Sequence, residues 1–262
     1  MDMQLEGKRA LVTGSSKGIG RATAALLAEE GAEVILHGRS AASLAEAKAA
    51  IPAAKTVIGD LGTEAGADAV IAAVEAIGPV DILVNNAGIF EPKDFFDTPY
   101  ADWERFFRVN VMSGVWLAKA LMPGMLDRGW GRVIFIASES AINIPAEMVH
   151  YGMSKTAQLA VSRGLAERTK GTAVTVNAVL PGPTMSDGVD TFLGDFASRE
   201  GIDRQAFEHE VFFREARPSS LIQRFSDPAE VANMIAYVAS PRASSTNGAA
   251  LRVDGGVVKS AF

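Results

Sequence analysis

Short, continuous apolar runs alternate with longer amphipathic segments along most of the 262-residue chain. The predicted strands are Arg9–Thr13, Glu33–His37, Thr56–Asp60, Val80–Asn85, Arg132–Ser138, Thr172–Leu180 and Ala249–Val253. The predicted helices are Arg21–Glu30, Ala65–Ile77, Tyr100–Asp127 with a kink at Pro123, Tyr151–Lys170 and Pro228–Ala239. Apolar strands that alternate with helices indicate an α/β fold in which helices cover both faces of a parallel sheet.

The polar and aromatic stretch 184–225 breaks this alternation, and nothing in the sequence resembles a linker or a repeat. We therefore expect one domain over residues 1–262, with 184–225 as a mobile lid, because a connection of about forty residues is too long for a turn. Its apolar positions are Val189, Phe192, Leu193 and Phe196, then Phe207, Val211, Phe212 and Phe213. The alternative is that these side chains pack the segment onto its own core or onto a neighbouring subunit.

Composition narrows the classes of function. The absence of cysteine excludes disulfides, thiolate metal sites and cysteine nucleophiles, and the three histidines have no metal-ligand spacing. A net charge of −6 disfavours nucleic acid and anionic membranes as partners. No apolar run approaches the roughly eighteen residues that would span a bilayer. The first residues contain an acid and no apolar signal core, so we expect a cytoplasmic protein without a metal.

A glycine-rich loop follows the first predicted strand. Gly14, Gly18 and Gly20 allow a tight turn and a close approach of the backbone to a pyrophosphate. The N–H groups at the start of the next helix then face the anion. In this strand–turn–helix–strand context the loop predicts a dinucleotide site, and the alternative is a glycine-rich turn without a ligand.

Tyr151 and Lys155 lie four residues apart on a predicted helix, so their side chains share one face. A phenol titrates near pH ~10, but a cation about 4 Å away at an effective dielectric of ~20 contributes about 4 kcal/mol, or roughly three pKa units. The phenol then comes into the range of a general acid/base. Alone, the pair is better interpreted as a solvated helix pair, and the catalytic interpretation needs confirming context.

Other polar residues and turns lie at the same edge of the predicted sheet. Asp60, Asn85–Gly88, Ser138 and Pro181–Gly182 all come at carboxyl ends of predicted strands. Ligands of open α/β sheets bind at that edge. The glycine loop, Ser138 and Tyr151 are therefore expected to converge on one site.

As a set, these motifs resemble the short-chain dehydrogenase/reductase family over residues 5–258. The motifs are Thr13–Gly20, Asn85–Gly88, Asn110, Ser138, Tyr151 with Lys155, Pro181–Gly182 and Asp254–Gly256. The resemblance implies a three-layer, doubly wound Rossmann fold with seven parallel strands, an NAD(P)-dependent oxidoreductase acting on CH–OH groups, and a homodimer or homotetramer.

The resemblance also implies a role for each matching residue. Tyr151 is the expected acid/base, Lys155 lowers its pKa and holds the nicotinamide ribose, and Ser138 bonds the substrate oxygen. Asn110 positions a proton-relay water through Lys155; read without the resemblance, it is a capping or helix-bending residue. The candidate cofactor-binding residues are Gly14, Ser16, Lys17, Gly18, Ile19, Gly20, Arg39, Ser40, Asp60, Leu61, Asn86, Ala87, Gly88, Tyr151, Lys155, Pro181, Gly182 and Thr184. The candidate substrate residues are Ser138, Phe90, Ile142, Ile144, Met148 and Met185.

The end of the second strand predicts NADP(H) as the cofactor. NAD-selective sites place an acid there, whereas this strand ends in His37–Ser40 with no acid. Arg39 matches a 2′-phosphate bidentately, and Lys17 adds a second cation. The alternative is a solvated Arg39 and an enzyme that accepts either cofactor.

The sequence therefore predicts an NADP(H)-preferring oxidoreductase that interconverts a ketone and a secondary alcohol, on a largely apolar small molecule. Glu139 departs from the family pattern, in which a small residue is common; we expect it to face solvent, or otherwise to lie near the substrate mouth. Two alternatives remain. A 3-oxoacyl thioester reductase is disfavoured by the net charge of −6, because carrier proteins are acidic. A non-catalytic dinucleotide-binding regulator would be expected to lack Ser138, Tyr151 or Lys155.

Overall fold

A computed structural model describes residues 2–201 and 203–261, without the side chains at 192, 195–197, 199, 200, 209 and 210. The described residues form a seven-stranded parallel sheet in the order β3-β2-β1-β4-β5-β6-β7. The strands are β1 (Arg9–Val12), β2 (Glu33–Gly38), β3 (Lys55–Ile58), β4 (Ile82–Asn85), β5 (Trp130–Ile136), β6 (Ala173–Pro181) and β7 (Ala250–Val253). The strand order reverses between β1 and β4, which is the topology of a doubly wound Rossmann fold and confirms the predicted fold class.

Helices cover both faces of this sheet. They are α1 (Gly18–Glu29), α2 (Ala41–Ala50), α3 (Glu64–Ile77), α4 (Tyr100–Phe106), α5 (Ser113–Asp127), α6 (Val149–Glu167), α7 (Asp187–Glu200), α8 (Arg204–Ala206) and α9 (Pro228–Ala239). Successive residues of each strand point to opposite faces. In β1, Ala10 and Val12 join the core beneath α1, α2 and α9, whereas Leu11 joins the core beneath α3, α5 and α6.

Two local features differ from the sequence prediction. Helix α2 was not expected; Ser40 begins it, and its hydroxyl accepts a hydrogen bond from Ser43 N at 3.2 Å. The long helix Tyr100–Asp127 is present, but the departure from α-helical hydrogen bonding lies in a π-helical segment, Phe107–Met112, and not at Pro123.

By length and composition this 28-residue stretch qualifies as a membrane-span candidate, yet half of its most apolar window is buried inside the protein, as in a core helix.

The excursion between β6 and α9 contains α7, α8 and a π-helical segment, Phe207–Ala216. Its two ends are joined, because Met185 N donates to Ser226 O at 2.9 Å and Ser226 N donates to Pro183 O at 2.9 Å. The excursion has a small core of its own, made of the buried Leu193, Phe207, Phe213 and Phe225. Such packing, of the segment onto its own core, is the alternative that the sequence left open to a lid that faces the substrate. The predicted apolar side chains of Phe192 and Phe196 lie outside the described part of the chain.

Candidate active site

The glycine loop between β1 and α1 is shaped by close approaches of the backbone. Gly14 and Gly18 have φ angles of 61° and 56°, in the left-handed region that favours glycine. A Cβ atom on Gly20 would lie 2.4 Å from both Gly14 O and Asn86 Nδ2. Any side chain at this position would therefore displace the backbone of the loop.

Two residues from neighbouring strands hold the loop in place. The Thr13 hydroxyl accepts hydrogen bonds from Asn86 N and Ala87 N, both at 2.9 Å. The Asn86 side chain donates to Thr13 O at 2.8 Å and to Gly14 O at 3.1 Å. Because these bonds join β1 to the end of β4, the loop is fixed at the point where the strand order reverses.

His37 supports the same loop from β2. Its Nδ1 accepts a hydrogen bond from Gly14 N at 3.1 Å, which places the proton on Nε2, and Nε2 lies 3.1 Å from Gly59 O. Burial lowers the pKa of His37, while its contacts with Gly59 and Asp60 partly oppose that effect. The neutral imidazole thus ties the glycine loop to the end of β3.

A carboxylate from the lid lies at the start of α1. Asp187 Oδ2 accepts a hydrogen bond from Gly18 N at 3.0 Å, and its Oδ1 lies 3.9 Å from Arg21 Nη2. The first N–H groups of a helix favour an anion. The loop is predicted to bind an anion, and in the structure the anion at this position is the Asp187 carboxylate of the lid.

The predicted 2′-phosphate residues lie at the far end of the cofactor side. Arg39 is exposed and, with Asp60, Arg105 and Arg108, lines a cavity of about 350 Å³. Lys17 is exposed in the glycine loop, whereas Ser40 is engaged as the helix cap of α2. Leu61, by contrast, is buried in the core beneath α3, α5 and α6.

The predicted catalytic side chains meet beyond the end of β5. Ser138 follows that strand, while Tyr151 and Lys155 project from the first turns of α6, and all three line one cavity. Lys155 Nζ donates to Ile136 O at 2.9 Å and lies 5.7 Å from the centroid of the Tyr151 ring. The structure thus brings the three residues together as the sequence predicts.

The electrostatics of this group differ from the expectation that the Lys155 ammonium lowers the pKa of the phenol. Burial raises the pKa of Tyr151 well above its usual value; a hydrogen bond with Ser138 and the charge of Arg217 oppose the rise, and the charge of Glu139 adds to it. Burial also lowers the pKa of Lys155 to about 7. Desolvation, which the sequence prediction did not take into account, is the largest cause of both shifts.

Asn110 lies in the π-helical segment and is fully buried. Its side chain accepts from Ile89 N at 2.8 Å and donates to Ser154 Oγ at 2.9 Å, while its main-chain oxygen accepts from Gln158 Nε2 at 2.7 Å. A Cβ atom added to Gly88 would lie 3.4 Å from Asn110 Oδ1 and 3.5 Å from Lys155 Nζ, so these two side chains flank Gly88.

Glu139 does not face solvent, so the first of the two expectations for it is wrong. Its side chain is buried in a turn directly after Ser138 and accepts hydrogen bonds from the hydroxyls of Ser138, at 2.7 Å, and Ser140. Arg217 Nε lies 3.5 Å from the same carboxylate, and Arg217 Nη1 lies 3.1 Å from Glu147 Oε1. A chain of charges, buried at Glu139 and Arg217, therefore joins Ser138 to the lid.

A cavity of about 570 Å³ opens between this group and the lid. Its walls include Ile19, Asn86, Gly88, Pro181, Gly182 and Thr184 on the cofactor side, and Val189, Leu193, Phe207, Val211, Phe212 and Phe225 from the excursion. Of the predicted substrate residues, Phe90 and Met148 line the cavity, but Ile142, Ile144 and Met185 do not. Ile142 and Ile144 are exposed, and Met185 packs against the core of the lid. The prediction of these three as wall residues is corrected, because the direction of each side chain depends on how its loop packs, which the sequence does not show.

Comparison with known proteins decides the family. Residues 8–193 match the family described as short chain dehydrogenase. The chain belongs to the short-chain dehydrogenase/reductase family. It is 48% identical to YvaG of Bacillus subtilis strain 168, an uncharacterized oxidoreductase, over the whole of both chains. It is 33% identical to the 3-oxoacyl-(acyl-carrier-protein) reductase FabG of Vibrio cholerae serotype O1, covering 97% of this chain and 99% of that one.

A solved structure shows the same likeness in three dimensions. L-sorbose reductase from Gluconobacter frateurii, complexed with NADPH and L-sorbose, matches with a TM-score of 0.93 and 33% identity. The match covers 99% of this chain and 100% of that one. As a short-chain dehydrogenase/reductase, the chain is an NAD(P)-dependent oxidoreductase acting on CH–OH groups.

The residues present in this short-chain dehydrogenase/reductase fit a nicotinamide dinucleotide. The glycine loop leaves no room for a Cβ atom at Gly20, and backbone N–H groups open the helix that follows it. The cavity beside Ser138 and Tyr151 is continuous with Ile19, Asn86 and Gly88, so one elongated ligand can reach from the loop to the catalytic group.

Four residues that support the site were not among the site residues predicted from the sequence, although Thr13 begins the motif Thr13–Gly20. Thr13 and His37 fix the glycine loop, while Glu147 and Arg217 complete the charge chain. His37 stands at the end of a predicted strand, beside the loop, and that position is a usable signal. Arg217 gives no such signal, since it reaches Glu139 only through the folded lid.

Proposed function

We propose that this chain is an NADP(H)-preferring oxidoreductase that interconverts a ketone and a secondary alcohol, with Tyr151 as the acid/base. The observation that carries the proposal is the meeting of Ser138, Tyr151 and Lys155 at one cavity that also includes Asn86 and Gly88. A hydroxyl pair beside a glycine-loop site is the arrangement that proton transfer coupled to nicotinamide chemistry requires.

Each side chain of the site has a separate proposed role in the reaction at the substrate oxygen. When bound, the nicotinamide supplies or accepts the hydride. Tyr151 moves the proton on the substrate oxygen, and Ser138 stabilises the charge that develops there. Lys155 holds the ribose and supports the tyrosinate, while Asn110 keeps α6 and the end of β4 in register through Ser154 and Ile89.

The preference for NADP(H) rests on the guanidinium groups at the end of β2. Arg39, Arg105 and Arg108 line one small cavity there. A planar guanidinium binds phosphate bidentately. The carboxylates that line this cavity, Asp60 after β3 and Glu104 in α4, do not belong to β2, which itself ends without an acid. The match to a structure complexed with NADPH supports the same cofactor.

The substrate is proposed to be a small molecule with a largely apolar body. Aromatic and aliphatic side chains from the excursion form one wall of the cavity, opposite Tyr151. The charged groups of the lid side form one polar corner, where Arg217 pairs with both Glu139 and Glu147. An apolar wall with a single polar corner favours a substrate that carries its polar group at the reacting end.

Residues 184–225 are proposed to act as a lid that excludes water from the reaction. The two ends are joined beside Pro183 and Ser226, so the segment can move as a unit about that point. Limited proteolysis with and without NADP(H) tests this proposal: the cofactor is expected to protect the segment. Equal, slow cleavage in both states would indicate a rigid structural insert.

The protein is further proposed to be a cytoplasmic homodimer or homotetramer. Phe96 and Tyr100 are each 90% exposed, and Phe95 is 48% exposed, next to the long helix. Exposed aromatic clusters are typical of subunit contacts. Light scattering combined with size-exclusion chromatography measures the assembly, and a monomer at micromolar concentration would contradict it.

A screen of ketones and secondary alcohols with each nicotinamide cofactor tests the function. We expect a higher kcat/KM with NADP(H) than with NAD(H), and a reversal of that preference in Arg39→Asp. A higher kcat/KM with NAD(H), or an unchanged preference in Arg39→Asp, would contradict the cofactor assignment. A marked preference for polyhydroxylated ketones such as L-sorbose over apolar ketones would contradict the substrate class.

The runner-up is reduction of 3-oxoacyl thioesters, the reaction named for the Vibrio cholerae relative. The apolar cavity would accept an acyl chain, but the net charge of −6 disfavours an acidic carrier protein. Including a 3-oxoacyl thioester on a small carrier in the same screen separates the two functions. No turnover with any compound would favour the non-catalytic regulator.

A further inference from the structure

The hydrogen of the Ser138 hydroxyl is already committed in the structure. Ser138 Oγ donates to Glu139 Oε2 at 2.7 Å and accepts from Ser140 N at 3.1 Å. A serine hydroxyl has one hydrogen to donate. While its hydrogen lies on Glu139, the Ser138 hydroxyl therefore has no hydrogen to donate to the Tyr151 oxygen, and it is such a donation that would lower the pKa of Tyr151.

Glu139 is held in place from two sides. Ser140 donates its hydroxyl hydrogen to the same carboxylate oxygen that binds Ser138. Arg217, which is 8% exposed, contacts the other oxygen from the end of the lid excursion. Glu147 shares Arg217 and is half exposed. A buried carboxylate with two hydroxyl donors and a guanidinium has little freedom to rotate away.

We propose that Glu139 is a positioning residue, which fixes the hydrogen of Ser138 and thereby keeps the proton on Tyr151, and that Arg217 opposes this effect from the lid. The inference rests on the proposed function, in which Tyr151 exchanges a proton with the substrate. Donation from Ser138 to the substrate oxygen then requires its hydrogen to leave Glu139, so the ion pair with Arg217 sets how readily Ser138 assists the reaction.

The charges that face Tyr151 come from three elements. Glu139 belongs to the turn after β5, Arg217 to the end of the lid, and Lys155 to the same helix as the tyrosine. The carboxylate raises the pKa of the phenol and adds to the larger effect of burial, whereas the guanidinium lowers the pKa and opposes that effect. The two groups must therefore move the titration of Tyr151 in opposite directions when their charges are removed.

Alcohol oxidation as a function of pH tests the proposal, because that direction requires the tyrosinate. In Glu139→Gln, we expect the midpoint of kcat against pH to fall by roughly one unit, the scale for the loss of one nearby charge. In Arg217→Gln, it should rise. Glu147→Gln is the control, since its carboxylate touches Arg217 and not Ser138, and its shift should be smaller than either.

A purely structural role for Glu139 predicts a different result. Glu139→Gln would then lower kcat or the melting temperature and leave the pH midpoint unchanged, and this outcome would overturn the proposal. A double variant tests whether Glu139 acts through Ser138. In a Ser138→Ala background, Glu139→Gln should have no further effect on kcat. A full additional effect would show that Glu139 does not act through Ser138. If Glu139→Gln does not fold, the test rests on Arg217→Gln alone. A fall in its midpoint of kcat against pH, or no change in that midpoint, would then refute the proposal.

A readout without turnover separates this inference from the proposed function. The chain contains 3 tyrosines, so ¹³Cζ-tyrosine NMR gives few resonances, and Tyr151→Phe identifies the one that matters. Over the alkaline range in which the protein stays folded, tyrosinate should form first in Glu139→Gln, then in wild type, and last in Arg217→Gln. This order can hold in a protein that turns over no ketone, and any other order would refute the positioning role even in an active enzyme.

Discussion

The cofactor side and the substrate side of the site are held together by different kinds of contact. On the cofactor side, Asn86 and His37 bond to backbone atoms of the β1–α1 segment, and Thr13 bonds to backbone N–H groups after β4. The glycine loop itself admits no side chain at Gly20. On the substrate side, Glu139 and Arg217 bind each other through side chains that belong to distant parts of the chain. One side depends on the course of the backbone, and the other on which side chains happen to face each other.

This difference indicates which half of the site can change in amino-acid sequence without losing its shape. A loop fixed by backbone contacts keeps its shape when surface residues change, because main-chain groups are common to all residues. An ion pair across the lid changes with either partner, and a buried pair is costly to break on one side only. Substrate choice and proton transfer can therefore change by substitution in the lid while the cofactor site stays intact.

Removal of the Tyr151 hydroxyl is expected to have the largest effect and to separate the two sides most sharply. Tyr151→Phe should lower kcat by about 10²–10⁴-fold, the usual scale for general acid/base catalysis, while NADPH binding stays close to wild type. Lys155→Ala should lower both, since Lys155 is proposed to serve both sides. Steady-state kinetics and fluorescence titration with NADPH measure the two effects. Near-normal turnover by purified Tyr151→Phe would remove the proposed mechanism.

A glycine pair tests whether the cofactor side depends on the backbone. In Gly20→Ala, the new Cβ atom meets Gly14 O and Asn86 Nδ2 at 2.4 Å, so NADPH binding should weaken by at least about tenfold, which corresponds to about 1.4 kcal/mol. Gly164 is the matched control, because it also lies in a helix and nothing is within 4 Å of its Cβ position. Gly164→Ala should raise the free energy of unfolding by about 0.5–1 kcal/mol without changing NADPH affinity. Equal NADPH affinity in both variants would contradict the backbone argument.

The same contrast explains what the sequence could and could not predict. The strands and the glycine loop follow from local apolar runs and from glycine spacing, so their positions were predicted to within a few residues. Ser138, Tyr151 and Lys155 converge because each follows or faces the end of a parallel strand, a consequence of topology alone. The burial of Glu139 and its partner Arg217 depend on how the lid folds back, and no local pattern contains that information. The pKa of Tyr151 was misjudged for the same reason, since desolvation depends on tertiary packing.

Asp187 is the point where the lid meets the cofactor side. Its carboxylate accepts from Gly18 N at 3.0 Å, at the helix start that is proposed to face the pyrophosphate. Asp187→Asn removes a negative charge from that position and should tighten NADPH binding several-fold, by about 0.3–1 kcal/mol. Asp190 is the matched control: it lies on the same helix and pairs with Arg204 inside the lid. Asp190→Asn should leave the affinity unchanged. Weaker binding in Asp187→Asn would show that the carboxylate instead stabilises the closed lid over the cofactor.

The smallest expected effect is a pH dependence of stability that originates at His37. Burial lowers the pKa of His37 below its ordinary value of about 6.5, so the folded protein binds fewer protons than the unfolded chain in the interval between the two values. The contribution of the neutral imidazole is complete above the ordinary value and is lost as the pH falls through it toward the lowered pKa of the folded state. Once the ring is protonated in the folded protein, it can no longer accept from Gly14 N, so the glycine loop should loosen and NADPH affinity should fall at lower pH, as the pH passes through the lowered pKa of the folded state. Urea unfolding across this pH range measures the first effect, and NADPH titration measures the second.

His150 is also buried and its pKa is also lowered, so in wild type the slope of the unfolding free energy against pH contains contributions from both residues. In His37→Gln, the slope should be smaller but not zero, and the pH dependence of NADPH affinity should weaken with it. An unchanged slope in His37→Gln would assign the effect to His150, and the glycine loop would then depend on hydrogen bonds that pH does not reach.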